Sequence, residues 1–519
     1  MSGVFEPAET GLSVSLGNDG VVPVDMDSLE IHELSSDSKK TASIRRPKRK
    51  LFFVPTFFAA VAFCILVGLL KQRLHQPADS TGKALQVSDI RPPATISGRW
   101  THRQLPAQYD EWGLPTITHF EETLSPTLKQ GKEAIAQAVK SAHSEPKKSS
   151  RLSVDPANRQ HLAARTLSND KSESLLGMTV ELENVVPFKP RAQNKPVPSK
   201  MRITKVVGSD SSGLLVLAED LESRELYTMR ICIMQAPLAS AFSDSEGLFE
   251  TTSYWNDIDA KVASQISKST PEGGEDSQEI ATVPIYTANV AGATDATVIN
   301  GSYVFGQVYL LEELHGSMRT LDLRDEALLP QVNEYVASRL LQVFLKLQKA
   351  GISSAAVDWS SIFVRPDGSF VVSSFRSSAP FGWPYGPFAA FNLERSEPQL
   401  VLSIFRSIET SEACLSHPAV DMWLLGSLLF ELFTKGESAY GMDEWYEMED
   451  SKELAKALLE RKTRSEILRP QLEAAHVPER WSELILRLLE PERVNRITAF
   501  GIMKEFPDLA HHISHRLSE

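Results

Sequence analysis

Residues 351–376 read GISSAAVDWSSIFVRPDGSFVVSSFR, and the order of parts in this stretch decides the fold. The pattern predicts a loop, a short strand over Ser361–Val364, a tight turn and a second strand over Ser369–Phe375. Pro366-Asp367-Gly368 supplies the turn, because proline presets one backbone angle and glycine tolerates the left-handed one that follows. Ahead of the loop, Val332, Val336, Leu340, Val343, Phe344 and Leu347 recur at helical spacing. That periodicity predicts a helix over Gln331–Ala350 with one apolar face.

Helix, loop, hairpin and a long irregular segment resemble the surroundings of a protein-kinase catalytic loop. The kinase signature H-R-D-L-x-x-x-N-I-F-V, laid on Ser354–Val364, matches Ile362-Phe363-Val364. It then sets Ser354-Ala355-Ala356 on His-Arg-Asp and Ser361 on the metal-binding Asn. The same frame puts Ser374-Phe375-Arg376 on Asp-Phe-Gly. The resemblance implies the scaffold without the chemistry. A methyl group at Ala356 cannot accept the substrate hydroxyl proton. Ser361 and Ser374 offer neutral hydroxyls where Mg²⁺ demands oxygen ligands, by preference anionic ones. The chain therefore reads as a pseudokinase, with no metal and no cofactor expected.

Upstream, Met201–Val207 and Gly213–Ala218 look like strands joined by Gly208-Ser209-Asp210-Ser211-Ser212-Gly213. This segment stands in the place of the kinase glycine-rich loop, with Asp210 on the middle glycine. A carboxylate there adds like charge beside phosphates, on the order of 4 kcal/mol for one pair at roughly 4 Å. Leu226–Ile233 resembles the V-A-I-K strand, with Arg230 at the lysine. Arginine keeps the charge but is bulkier and planar. Trp255, Ile258, Val262 and Ile266 give Tyr254–Lys268 roughly helical spacing. It is the candidate for the helix that carries the lysine's acidic partner, with Asp257 and Asp259 nearby. A charged insert, Pro271–Gln278, follows. Thr297–Ile299 and Tyr303–Leu311 flank Asn300-Gly301, a strong hairpin signal. Asn300-Gly301-Ser302 is also a glycosylation sequon.

Downstream, Phe381–Phe388 is rich in proline and aromatics and stands where an activation segment would, with Glu397-Pro398 the nearest remnant of A-P-E. Val420–Thr434 is apolar nearly all round, which predicts a helix buried on every side. Its Asp421, Trp423 and Gly426 resemble the kinase D-x-W-x-x-G, residues that anchor the central helix to the catalytic loop. Leu488-Leu489-Glu490-Pro491 and Arg496-Ile497-Thr498 resemble the family's L-L-x-x-D-P and R-x-T, and that arginine is expected to brace the activation segment through Glu397. His511, His512 and His515 read as a surface helix end, since no further ligand accompanies them.

At 519 residues the chain exceeds one ordinary domain. A formal net charge of -13 argues against a nucleic-acid binder, which needs a basic footprint. Three cysteines, Cys64 in an apolar run and Cys232 and Cys414 in different lobes, do not make a disulfide framework. Residues 1–50 are polar and acidic, read as a disordered tail, and end in the basic cluster Arg45–Lys50. Leu51–Leu70 carries no charge and is long enough to cross a bilayer as a transmembrane helix or signal anchor. The basic residues before it predict a cytosolic N-terminus and a lumenal remainder. Residues 71–195 read as a stalk with local helices at Pro126–Ala142 and around Asn158–Leu167. Residues 196–519 form the kinase-like domain, α+β and bilobal, with a β-rich first lobe and a helical second.

Within kinases the phrases IFVRPDGSF and AVDMWLLGSLLFELF resemble the apicomplexan rhoptry kinase family, in particular its degenerate members. The resemblance implies a secretory-organelle protein released into the host cell or parasitophorous vacuole. It also implies action by binding protein partners, such as active kinases or host defence GTPases. Two alternatives stay open: a lumenal kinase in which Asp358 takes over catalysis, and a receptor-like membrane protein whose kinase-like domain is cytosolic.

Overall fold

In the computed structural model, the described residues are 124–143, 175–187, 197–210, 213–235, 261, 262, 265 and 280–510, the last apart from 293–296, 300–301, 320–325, 374, 387–388, 390, 394, 411, 445–447 and 461–463. Helix α1 spans Pro126–His143 and strand β1 Thr179–Pro187. Strands β2 (Lys200–Asp210), β3 (Gly213–Asp220), β4 (Leu226–Gln235), β5 (Tyr286–Val290), β6 (Thr297–Ile299) and β7 (Ser302–Leu311) follow. They make one antiparallel sheet in the order β4-β3-β2-β1-β5-β7-β6, and β4 also pairs with β7, which curls the sheet onto itself. Alternation explains the curl. Met201 and Ile203 of β2, Val216 and Ala218 of β3, Met229 and Ile231 of β4 and Val308 and Leu310 of β7 all turn into one buried cluster. Gly213 permits the closest approach, since a Cβ there would stand 2.0 Å from the Ile231 carbonyl oxygen.

The helical part begins after β8 (Gly316–Ser317) with α2 (Leu329–Lys349), the helix expected from the Val332–Leu347 periodicity. Then come β9 (Ile352–Ser353), the hairpin β10 (Ile362–Val364) and β11 (Phe370–Val372), and β12 (Ala379–Pro380). Helices α3 (Pro398–Thr410), α4 (Pro418–Phe433), α5 (Met448–Glu460), α6 (Arg469–Ala474), α7 (Glu479–Leu488), α8 (Ala499–Glu505) and α9 (Pro507–Ala510) complete it. Helix α4 is buried from Val420 to Glu431, as its uniform apolarity requires. Its N-terminus is capped by His417, whose Nδ1 accepts the Ala419 N–H at 3.1 Å. Gly426 lets the Leu488–Leu489 corner seat against it: a Cβ there would meet Leu488 at 2.8 Å and Leu489 at 2.9 Å.

The stalk expected over 71–195 gives way in two places. Leu128, Ile135 and Val139 of α1 lie in the same core as α2, so the helix is part of the folded domain. Its Gly131 seats on α2, where a Cβ would fall 2.2 Å from the Gln331 carbonyl oxygen. Alanine would favour the helix by roughly 1 kcal/mol, but a backbone atom blocks it. Lys132 pairs with Asp367 at 2.8 Å, and Gly368 (φ +85°) lets the hairpin turn touch the α1 backbone. Strand β1 fills the sheet between β2 and β5. The folded part thus reaches N-terminal of 196, a boundary that TVELENVVP, with its weak alternation, did not signal. Among the described residues no helix is long and apolar enough to cross a membrane. Leu51–Leu70, the 1–50 tail, Asn158–Leu167, most of Tyr254–Lys268, the Pro271–Gln278 insert, Asn300, Ser374 and the C-terminal histidines lie outside the described residues.

Candidate functional site

The loop between β9 and β10 is held from below by Asp421, near the start of α4. Its carboxylate accepts the Ser354 N–H at 3.0 Å, the Ala355 N–H at 3.1 Å and the Ser354 and Ser353 hydroxyls at 3.2 and 3.3 Å. Burial pushes the Asp421 carboxyl up to about 6, while these hydrogen bonds pull it back down. Ala355 is held in the left-handed region (φ 51°), a conformation the capped backbone imposes on it. This is the contact expected of the D-x-W-x-x-G aspartate, and it fixes Ala356 as the side chain that follows. A half-buried methyl group stands there.

Ser361 does not face outward as a ligand. Its hydroxyl donates to the Asp358 carbonyl at 2.9 Å and accepts the Asp358 N–H at 3.0 Å. Asp358 Oδ1 in turn accepts from the Ser360 N–H, the Ser360 hydroxyl and the Ser361 N–H at 3.0, 2.6 and 2.9 Å. Asp358 therefore closes a local turn, and that weighs against its taking over as a catalytic base. Among the described residues no cluster of His, Cys, Asp or Glu could hold a metal ion. The donor set at Ala356 and Ser361 does not fit a magnesium–nucleotide complex, and no transfer step follows from it.

The hairpin after this loop packs directly on the sheet. Phe363 of β10 is fully buried and packs with Val207 of β2, Leu215 and Leu217 of β3, Leu311 of β7, Leu314 and Val371. Its ring would lie 3.4 Å from a Cβ at Gly208. The sheet and the hairpin thus meet through side chains. The connector after β7 is fastened as well. Leu314 N–H donates to Thr228 Oγ1 at 2.9 Å, Lys205 Nζ donates to the His315 carbonyl at 2.5 Å, and Arg365 grips Glu312 at 2.7 and 3.1 Å. Burial pulls the Lys205 ammonium below its usual range.

Asp210 departs from the expectation of an exposed negative charge facing phosphates. Its carboxylate turns inward and pairs with Arg230 at 3.2 Å, both side chains 1 % exposed or less. Ser373 donates its hydroxyl to the same oxygen at 2.6 Å. The charge expected to face phosphates is therefore paired inside the protein. Gly208 and Gly213 remain in the β2–β3 hairpin, but the hairpin is tied down by this pair.

Glu397 and Arg496 come together as expected. Glu397 is fully buried and bonded to both Arg496 and Arg493. Arg496 also donates to the carbonyls of Ala419, Glu490 and Pro491 at 2.8, 2.9 and 3.0 Å. Its guanidinium stands 5.0 Å over the Trp423 ring. The aromatic segment is tied back by Tyr385, whose hydroxyl lies 2.9 Å from Ser353 Oγ. Cys232 is buried and Cys414 half-buried.

Three contributors escaped the sequence reading: Lys205, Thr228 and Ser373. One signal was present for Thr228, which falls on the alanine of V-A-I-K, so a hydroxyl stands where the frame has a methyl group.

No family model and no curated protein sequence matches the chain. Among solved structures, it is similar to a rhoptry kinase from Toxoplasma gondii, with a TM-score of 0.50 and 13% identity over 75% of this chain and 96% of that one. It is also similar to ROP2 from Toxoplasma gondii, described as a virulence factor with a protein-kinase fold and no enzymatic activity. There the TM-score is 0.47 and the identity 12%, over 76% of this chain and 99% of that one. The chain accordingly has a protein kinase-like fold resembling the rhoptry kinases.

Proposed function

We propose that this protein is a pseudokinase: a kinase-like domain that neither transfers phosphate nor binds Mg-ATP usefully, and that acts by binding a protein partner. The observation that carries this reading is the occupied cleft, with Phe363 in its apolar part and the Asp210–Arg230 pair in its polar part. A micromolar ligand needs about 8 kcal/mol of net binding free energy. Opening this cleft would first expose buried apolar surface and separate a buried ion pair, both of which oppose binding. Calorimetry and thermal-shift titration with ATP, with and without Mg²⁺ or Mn²⁺, are expected to give no signal. Metal-dependent micromolar binding followed by label transfer to a substrate would establish an active kinase instead.

The same reading makes the chain a secretory-pathway protein tethered through Leu51–Leu70, with the kinase-like domain in the lumen and a role as scaffold or allosteric regulator. The uncharged run and the basic cluster before it support this topology. A rhoptry origin, with later release to the host cell or parasitophorous vacuole, is the compartment that the resemblance favours. Protease treatment of sealed microsomes should leave an epitope placed after Glu519 intact. Its digestion would put the domain in the cytosol and favour a receptor-like protein.

A further inference from the structure

Asp210 belongs to the sheet, yet its carboxylate is bonded across the cleft. Oδ1 accepts the Gly213 N–H at 3.1 Å, which fixes the side chain on its own hairpin. Oδ2 accepts Arg230 Nη2 at 3.2 Å from the neighbouring part of the sheet and Ser373 Oγ at 2.6 Å from the end of β11. Arg230 Nη2 also reaches Ser373 Oγ at 3.3 Å. Asp210 and Ser373 stand 163 residues apart in the chain. One anionic group therefore joins both walls of the cleft and engages a buried cation there. A bound phosphate group would offer the same chemistry, an anion with several acceptor oxygens directed at a guanidinium, a hydroxyl and a backbone N–H.

We infer that Asp210 is a tethered ligand, an internal anion that stands in for a phosphate-bearing molecule and holds the sheet and the helical part together with nothing bound. The inference rests on the pseudokinase reading and adds a cause for it. The anion needed to complete the closed arrangement is covalently part of the chain, so its effective concentration does not depend on any metabolite. Two further consequences follow from the geometry. Removing the carboxylate loosens the cleft, because Arg230 stays buried without this counter-charge. It also vacates the position where an anion meets the Arg230 guanidinium, the Ser373 hydroxyl and the Gly213 N–H.

The test uses the whole folded chain, with pyrophosphate and ADP as probes. Neither should move the melting temperature of the wild type. Asp210→Gly should melt lower, and pyrophosphate should raise its melting temperature back toward the wild-type value. In the double variant Asp210→Gly/Arg230→Met that response should disappear. Asp210→Asn keeps the size and loses the charge. It and Ser373→Ala should each speed amide hydrogen exchange in segments 201–216 and 361–373 by about tenfold or more. These two milder variants decide the matter if Asp210→Gly does not fold. Wild-type exchange and melting in all three single variants would overturn the inference. A loosened Asp210→Gly with no response to pyrophosphate would overturn the ligand-mimic part of it. Nucleotide binding by the wild type is a different outcome, which would overturn the pseudokinase reading itself.

Discussion

Glu397→Ala is expected to lower folding stability by about 3–5 kcal/mol, the range for removing one partner of a buried ion pair. Arg496 has no exposed side-chain surface, and burial already pulls its guanidinium below the usual range while the Glu397 charge opposes that shift. Without the carboxylate, a positive charge would remain in the core with three backbone carbonyls as acceptors and no counter-ion. Arg493 cannot substitute, because it is itself a cation. Glu397→Gln should cost less than alanine. The amide can turn its oxygen to Arg496 and leave its N–H₂ facing Arg493, which is 24% exposed and can move into water. Replacing the pair together by Glu397→Leu/Arg496→Met should recover part of the loss, since an apolar pair avoids both desolvation penalties but leaves three backbone carbonyls without the Arg496 donor. Denaturant midpoints at unchanged slope measure each case. A Glu397→Ala protein within about 1 kcal/mol of wild type would show that the charges are solvated, outside the range that buried pairs give.

The parts of this fold visible in the sequence are those written in local patterns. The periodicity from Val332 to Leu347 predicted a helix that is observed over Leu329–Lys349. Pro366-Asp367-Gly368 predicted a turn that is observed between β10 and β11. The β2–β3 hairpin and the all-round apolar α4 follow the same logic. What was hidden depends on distance in the chain. The Asp210 carboxylate could be read as a charge facing phosphates only while its partner was unknown. Arg230 is 20 residues away and Ser373 is 163 away, and no local pattern links them. Phe363 was legible as a match to a signature, but its place in a cluster with Val207 and Leu217 depends on how the sheet sits on the hairpin. Helix α1 was legible as a helix and not as part of the core. Its burial depends on Gly131, Lys132 and Gly368, three residues whose role exists only once α2 and the hairpin are in place.

Trp423→Ala is expected to cost about 3–5 kcal/mol, the range for deleting a large aromatic from a packed core. The ring is fully buried in the pillar helix α4. On one side it stacks with Tyr440, centroids 5.9 Å apart and planes within 10°. The Arg496 guanidinium lies 5.0 Å from the ring centroid. Its indole N–H has no hydrogen-bond partner among the described residues, so packing and the cation–π contact account for its contribution. That makes Trp423→Phe the informative control. Phenylalanine keeps an aromatic face for Arg496, loses part of the volume and leaves no donor stranded, so it should cost well under the alanine value. Tyr440 is itself anchored by its hydroxyl to the Leu489 carbonyl at 2.9 Å, and that anchor limits collapse into the vacated space. A second variant at the same helix separates packing from anchoring. Asp421→Ala should also destabilise, because it strands the Ser354 and Ala355 N–H groups in the core, at about 1–3 kcal/mol for each buried donor left unpaired. Its effect should reach the 351–361 loop, seen as faster hydrogen exchange there, whereas the Trp423→Ala effect should centre on α4 and the 439–444 turn. Unchanged melting in the Trp423→Ala/Asp421→Ala double variant would mean that α4 is not the pillar of the helical part.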